Sequence, residues 1–148
     1  ESQLDRFLMR ISIGYPDRAA ERLLLAGGDR RDMVDTMLPL LSDDELAELQ
    51  RQVQAIHTAE PLLNYVQDLI AATRSGRWFL QGLSPRAGIA LVRAAKAQAL
   101  ISGRDYVALD DVQAGLPQTI AHRLVPVGDA GRGAVEQVRA MVEAVPLP

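Results

Sequence analysis

Three helix-start signals in the middle of the chain constrain its fold more than any other feature. Residues 42–45 (Ser-Asp-Asp-Glu) form a capping box, in which the serine hydroxyl and the glutamate carboxylate satisfy backbone amides at each other's positions. Glu60-Pro61 and Ser84-Pro85 each place a proline in a first helical turn, where its missing N–H donor costs nothing. These signals predict successive helices from residue 42 onward, and so a mainly α fold.

Apolar side chains recur with helical periodicity after each signal, which indicates that the helices pack on one another. The stripe residues are Leu46, Leu49, Val53 and Ile56, then Leu62, Leu63, Val66, Leu69 and Ile70. An alanine-rich helix is expected to run to about Ile101, where Gly103 stops it. Another starts at Asp110-Asp111 and should be kinked or shortened by Pro117. A last amphipathic helix carries Val135, Val138, Met141 and Val142.

The N-terminal part of the chain has a different pattern. Residues 7–13 partly alternate apolar and polar side chains, which predicts a strand. A lone strand leaves its backbone groups without partners, and no second long strand is apparent in the sequence. Asp17 should cap a short helix that extends to about Ala26. We therefore expect this chain to be the C-terminal piece of a longer protein, cut from an α/β domain.

The bulk composition argues against several function classes. The net charge of -3 and the pI of about 5.3 disfavour a general nucleic-acid or membrane surface. There is no cysteine and no apolar run long enough to span a membrane, so a cytoplasmic location is expected. The single lysine, Lys96, lies between two alanines in a predicted helix, so the sequence has no phosphate-binding P-loop.

Arg86 and Arg6 are the two candidate functional residues. Arg86 lies in the first turn after Ser84-Pro85, where the helix dipole favours an anion and disfavours a cation. An arginine at such a position makes sense if it meets a phosphate. The alternatives are a solvated or ion-paired surface arginine at Arg86, and a surface pair with Asp5 at Arg6. Ser84 is in no nucleophile frame, so we expect it to act as a helix cap.

Other residues with chemical potential give weaker signals. His57 and His122 are far apart in sequence and have no metal-ligand spacing, so no metal site is predicted. Trp78-Phe79 is expected to be buried in the helical core, with stacking on a nucleotide base as the alternative. A small β pairing is predicted between Val107 and Leu124-Val125.

Several of these stretches, in their order along the chain, resemble the MoxR family of AAA+ ATPases. Residues 1–7 (ESQLDRF), followed by the predicted strand, resemble the end of the family's ATPase core. Residues 82–87 (GLSPRA) are similar to its sensor-2 motif. Four further stretches resemble its lid domain: 94–97 (AAKA), 103–107 (GRDYV), 110–112 (DDV) and 121–124 (AHRL).

The resemblance implies a helical-bundle AAA+ lid domain preceded by a strand–helix remnant of the α/β ATPase core. The remnant would span residues 1–30, with the arginine-finger segment and the last strand of the core, and the lid residues 31–148. Arg6 would be the arginine finger, acting in trans on ATP held by a neighbouring subunit. Arg86 would be the sensor-2 arginine that binds nucleotide, with Ser84 and Pro85 as its motif context.

The resemblance also implies a function for the parent protein. It would bind and hydrolyse ATP with Mg²⁺ as a homo-oligomeric ring, expected to be a hexamer. It would act as a chaperone-like factor that matures partner complexes, often with von Willebrand factor A-domain proteins. Because this chain lacks both a P-loop and an acidic Mg²⁺-binding motif, we expect it to hold no nucleotide tightly and to hydrolyse no ATP by itself.

Two other hypotheses fit parts of the sequence. A related AAA+ motor of the magnesium-chelatase type would carry the same two arginine motifs. A helical DNA-binding or interaction module built on residues 84–123 could present a basic face of Arg86, Arg93, Lys96 and Arg104. Strong, salt-dependent binding to duplex DNA would favour the second of these hypotheses.

Overall fold

The fold is mainly α, as predicted. In a computed structural model, the structure describes residues 4–27, 34–128 and 133–148. The helices that lie wholly within these residues are α1 (Arg18–Ala26), α2 (Asp43–Ala55), α3 (Glu60–Arg74), α4 (Pro85–Ile101), α5 (Leu109–Ile120) and α6 (Ala134–Ala144). Two short 3-10 turns occupy Leu4–Arg6 and Ala121–Arg123.

The chain forms two compact units. One unit holds residues 11–49, and the other holds the remaining described residues. In the smaller unit every described side chain is exposed except that of Glu48, which is half-buried. The two predicted caps are confirmed in this unit. Asp17 accepts a hydrogen bond of 2.8 Å from a backbone amide of α1, and Ser42 and Glu45 form the capping box of α2.

The predicted strand over residues 7–13 is wrong, because the structure contains no strand there. In this segment the amide of Arg10 donates a 2.8 Å hydrogen bond to the carbonyl of Gln118, in the last turn of α5. A strand forms only against another extended segment, and none lies beside these residues in the described part of the chain.

The core of the larger unit lies between α3, α4, α5 and α6. Its largest fully buried apolar side chains are Tyr65, Phe79, Leu69, Leu91, Leu116, Ile120, Met141, Val112 and Val138. The predicted apolar stripe of α3 is only partly confirmed: Leu62, Val66 and Leu69 are buried, but Leu63 is exposed. The hydroxyl of Tyr65 accepts a 3.1 Å hydrogen bond from Gln113 of α5, so this buried polar group is satisfied.

The predicted β pairing of Val107 with Leu124-Val125 is also wrong. The amide of Val107 donates instead to the carbonyl of His57 at 2.9 Å. The carbonyl of Val125 accepts from the amide of Leu80, also at 2.9 Å. Val107 therefore pairs with the loop at His57, and Val125 with the loop at Leu80. Helix packing brings these loops together, so the local sequence does not encode the pairings. Pro117 lies inside α5, which continues to Ile120 before the second 3-10 turn begins.

Candidate functional site

Ser84 caps α4, as the sequence predicted. Its hydroxyl oxygen accepts a 3.3 Å hydrogen bond from the amide of Ala87, and Pro85 occupies the first turn. Arg86 follows immediately and is exposed. Among the residues that the structure describes, its guanidinium has no hydrogen-bond or ion-pair partner. The guanidinium of Arg86 is therefore not occupied by the described residues, and its sensor-2 role stays a prediction.

The loop before α4 is fixed by the end of α3. The hydroxyl of Thr73 accepts a 3.0 Å hydrogen bond from the amide of Leu83. Arg74 donates to the carbonyl of the same residue from Nε and Nη2, at 3.0 and 2.8 Å. Gly82 passes so close to α3 that a Cβ atom would lie 2.8 Å from the Cα of Arg74. This close packing sets the position of the α4 N-terminus and of the arginine on it.

Arg6 ends the first 3-10 turn and is exposed. It has no side-chain partner in the described part of the chain. The carboxylate of Asp5 does not pair with it, because that carboxylate binds Arg123 at 2.6 Å and the hydroxyl of Ser84 at 3.2 Å. The Asp5–Ser84 bond brings the two predicted motifs together, although they are 79 residues apart in sequence.

Arg123 is the main residue of the site that sequence reasoning missed. Its side chain is only 4% exposed, and each of its three nitrogens donates to an acceptor. Nη1 binds both the carboxylate and the backbone carbonyl of Asp5, at 2.6 and 2.8 Å. Nη2 binds the carbonyl of Phe7 at 2.5 Å, and Nε binds the carbonyl of Thr119 at 3.0 Å. Arg123 lies in a stretch that resembles the lid domain, but no local signal marks its contacts, because most of its partners lie more than 110 residues away in sequence.

A cleft of about 380 Å³ opens beside these contacts, between the first 3-10 turn, the loop before α4 and residues 122–125. His122 lines it, and neither ring nitrogen has a hydrogen-bond partner among the described residues. Burial lowers the pKa of His122, and the positive charges of Arg123 and Arg10 lower it further. The nearby carbonyl groups of Phe7 and Gln118 oppose this shift but do not cancel it.

The aromatic pair before α4 belongs to the core. Phe79 is 1% exposed, and Trp78 is partly buried against the core with the guanidinium of Arg77 4.7 Å from its ring centroid. The carbonyl of Trp78 accepts hydrogen bonds from the amide of Val127 and the side chain of Gln137. The prediction of burial is therefore confirmed for Phe79 and only in part for Trp78.

Two of the four residues in the basic face considered for DNA binding, Lys96 and Arg104, use their side chains in internal contacts. Arg104 forms two hydrogen bonds of 2.6 Å with the buried carboxylate of Asp111. Lys96 donates to the carbonyl of Gln54 at 3.0 Å. Only Arg86 and Arg93 of the four residues are without such contacts in the described ranges. The structure thus gives little support to a DNA-binding surface on residues 84–123.

The described residues show neither a membrane-spanning helix nor a cluster of metal ligands. No helix in them is both long and apolar enough to cross a bilayer. They also contain no group of three or more His, Cys, Asp or Glu residues placed to hold a metal ion.

Comparison with known proteins gives the class. The family model described as the AAA lid domain matches residues 71–144. The uncharacterized protein YeaC of Bacillus subtilis is 35% identical over 151 residues, which cover 100% of this chain and 47% of YeaC. Chaperone MoxR1 of Mycobacterium tuberculosis is 34% identical over 140 residues, which cover 88% of this chain and 36% of MoxR1.

A solved structure agrees with these similarities. The crystal structure of a "putative ATPase" from Cytophaga hutchinsonii matches 99% of this chain with a TM-score of 0.80 and 25% identity. The match covers 48% of that protein. Together, the fold and the matches define the AAA lid class. The chain belongs to the MoxR family of AAA+ ATPases. It spans between about a third and a half of the length of these relatives.

Proposed function

We propose that this chain is the lid region of a longer MoxR-type AAA+ protein that hydrolyses ATP with Mg²⁺ as a homo-oligomeric, hexameric ring. The length of the relatives supports a longer parent, because YeaC and the solved ATPase are each about twice as long as the matched region. In this proposal residues 1–30 belong to the ATPase core and residues 31–148 to the lid.

We propose roles for two arginines in that ring. Arg6 is the arginine finger and reaches the γ-phosphate of ATP bound by a neighbouring subunit. Arg86 is the sensor-2 arginine and couples the phosphate state of the nucleotide to the position of the lid. Charge builds on the transferred phosphoryl group during hydrolysis, and a planar guanidinium fork is well suited to stabilise it.

One observation carries this proposal. Arg6 and Arg86 are both exposed and lack partners in the described part of the chain, while Asp5 and Ser84 beside them are hydrogen-bonded to each other. The backbone beside each arginine is thus fixed by the Asp5–Ser84 hydrogen bond, while no described residue binds the guanidinium group itself. Arg74 and Arg123, which lie near the two motifs, instead use their guanidinium groups in internal hydrogen bonds.

The exposed apolar side chains of residues 11–49 support the same assignment. Ile13, Leu25, Leu38 and Leu40 are each at least 84% exposed, which is costly for an isolated segment in water. In the proposed parent these side chains would pack on the ATPase core. The chaperone-like maturation of partner complexes, with von Willebrand factor A-domain proteins as partners, is proposed from membership of the family.

The test is a kinetic comparison in the longer protein. Arg6→Ala should lower kcat for ATP hydrolysis by ~10³-fold or more, since a guanidinium of this kind acts in the transition state. The dissociation constant for ATP should stay unchanged. Arg10→Ala is the matched control, because Arg10 is an exposed arginine four residues away and should leave kcat unchanged. Unaltered turnover in Arg6→Ala would remove Arg6 from this role.

A further inference from the structure

We propose that Arg123 is a positioning residue that holds the arginine finger in place. This inference rests on the proposed function of Arg6 and extends it to a residue of the lid. It follows from the contacts of the Arg123 guanidinium, which bind the backbone immediately before and after Arg6 and leave the Arg6 side chain untouched.

The guanidinium of Arg123 binds residues 4–8, here called the finger segment, on both sides of Arg6. On one side Nη1 donates to the carbonyl and the carboxylate of Asp5. On the other side Nη2 donates to the carbonyl of Phe7, with the carbonyl of Leu8 at 3.5 Å. Nε anchors the group to Thr119 in α5. Such a planar fork fixes orientation as well as distance, which a single ammonium group cannot do.

Burial makes this contact stiff. The side chain of Arg123 is 4% exposed, and its charge is balanced by the partly buried carboxylate of Asp5. That carboxylate also accepts the hydroxyl of Ser84, which caps α4. A continuous set of hydrogen bonds therefore runs from α5 through the finger segment to the helix that bears Arg86.

The finger segment has little means of holding itself. Leu4–Arg6 is a single 3-10 turn with no buried residue, closed by one backbone hydrogen bond of 3.2 Å from Phe7 to Leu4. A turn of this length is unstable by itself, because ordering its backbone costs more than one hydrogen bond returns. Without Arg123 the segment would be held to the rest of the described chain only by the hydrogen bonds from Ser84 to Asp5 and from Arg10 to Gln118. It would therefore sample more positions, and Arg6 would reach its target in fewer of them.

Amide hydrogen exchange tests whether Arg123 holds the finger segment, without any ATPase assay. In Arg123→Lys of this chain, the amides of Phe7 and Arg10 should exchange with solvent about tenfold faster or more, as the segment opens locally. The amide of Val107, which donates to His57, should keep its rate because it is not held by Arg123. Unchanged exchange at Phe7 and Arg10 would overturn the inference.

A mixed-ring assay tests the consequence for hydrolysis. Rings are assembled from two subunit types of the longer protein: a finger donor, whose own ATP site is inactivated in the core, and a site donor that carries Arg6→Ala. Turnover then occurs only where a site donor meets the Arg6 of a finger donor. Placing Arg123→Lys in the finger donor should lower kcat by about 10- to 100-fold, with KM for ATP unchanged. Placing it in the site donor should have a far smaller effect, since that subunit has no finger to misplace.

The control variant is Arg104→Lys. Arg104 also forms a two-pronged pair with an aspartate, Asp111, but has no contact with the finger segment. Its replacement should act equally in either subunit type. If Arg123→Lys lowered kcat equally in both subunit types, its role would be merely structural and the inference would be overturned. An unchanged kcat in both types would overturn the inference as well. If Arg6→Ala itself left the uniform ring active, the proposed function would fail instead.

Discussion

Asp111 is a buried carboxylate at the start of α5, only 3% exposed. Two hydrogen bonds of 2.6 Å from Arg104 and one of 2.8 Å from the amide of Ala108 satisfy it. The hydrogen bonds from Arg104 hold the pKa of Asp111 below its ordinary value, although burial opposes this shift. The ionised carboxylate therefore stabilises the folded state at neutral pH and ties the loop after α4 to α5.

Asp111→Asn should destabilise the chain by about 1–3 kcal/mol at pH 7, because Arg104 loses its charged partner while the shape of the side chain is kept. The contribution of Asp111 is present above pH ~4 and is lost as the pH falls through the depressed pKa of the folded state. Urea unfolding from pH 7 downwards should show the two proteins converging in acid. A constant difference at every pH would contradict this account.

His122 should give a second pH dependence, in a higher range. Its pKa is lowered in the folded state, so the neutral ring is favoured and its contribution to stability is complete above pH ~6.5. As the pH falls below that value, the unfolded state takes up a proton more readily and stability declines. His122→Asn should remove this decline, whereas His57→Asn, at an exposed histidine, should keep it. Thermal unfolding between pH 7.5 and pH 5.5 checks this, and an unchanged slope in His122→Asn would refute it.

At the scale of elements, the α3–α4 connection depends on the absence of a side chain at Gly82. A Cβ there would lie 2.2 Å from Cγ and 2.8 Å from Cα of Arg74, so the backbone itself must move. Gly82→Ala should cost roughly 1–3 kcal/mol of stability, as other overpacking changes do. It should also weaken the bonds from Thr73 and Arg74 that position the start of α4.

Gly115→Ala is the matched control for this prediction. In α5 the added methyl group would meet only the Cβ of Ala94, at an ordinary 3.8 Å. Since alanine is a better helix former than glycine, this variant should gain roughly 0.5–1 kcal/mol. Urea midpoints of the two variants should therefore move in opposite directions. A Gly82→Ala protein as stable as the parent sequence would show that the loop adapts freely.

Helix starts could be predicted from the sequence because caps and first-turn prolines act locally. The signals at Asp17, Glu60 and Ser84 each coincide with the start of a helix in the structure. The strand over residues 7–13 could not be predicted correctly, because a strand depends on a partner that the segment does not have here. For the same reason the backbone pairings of Val107 and Val125 followed from helix packing rather than from local pattern.

The residues of the candidate site also fall into those with a local sequence signal and those whose contacts are long-range. The motifs indicate Arg6 and Arg86, whose roles stay predictions, and the capping role of Ser84 followed from its local signal. The role of Arg123 was hidden, since its bonds to Asp5 and Phe7 bridge 118 and 116 residues of sequence. The sequence alone indicates Asp5 only as a neighbour of Arg6. A long-range ion pair leaves no periodic trace in the sequence, so only the fold shows it.

At the scale of the whole molecule, the two compact units should differ in stability. Residues 11–49 bury no described side chain, whereas the larger unit has a continuous apolar core. In urea a first, smaller part of the far-UV circular dichroism signal, the part expected from α1, should be lost before the fluorescence of Trp78 changes. Trp78 is the only tryptophan and reports on the larger unit. Coincident transitions would mean that the chain unfolds as one cooperative body and would contradict this prediction.

The central claim is that Arg6 serves ATP bound by another subunit. The most direct measurement mixes two inactive forms of the longer protein, one with Arg6→Ala and one with its own ATP site inactivated. If Arg6 acts in trans, mixing should restore magnesium-dependent hydrolysis at about a quarter of the interfaces in a randomly assembled ring. A mixture that forms rings but stays as inactive as its components would contradict the claim.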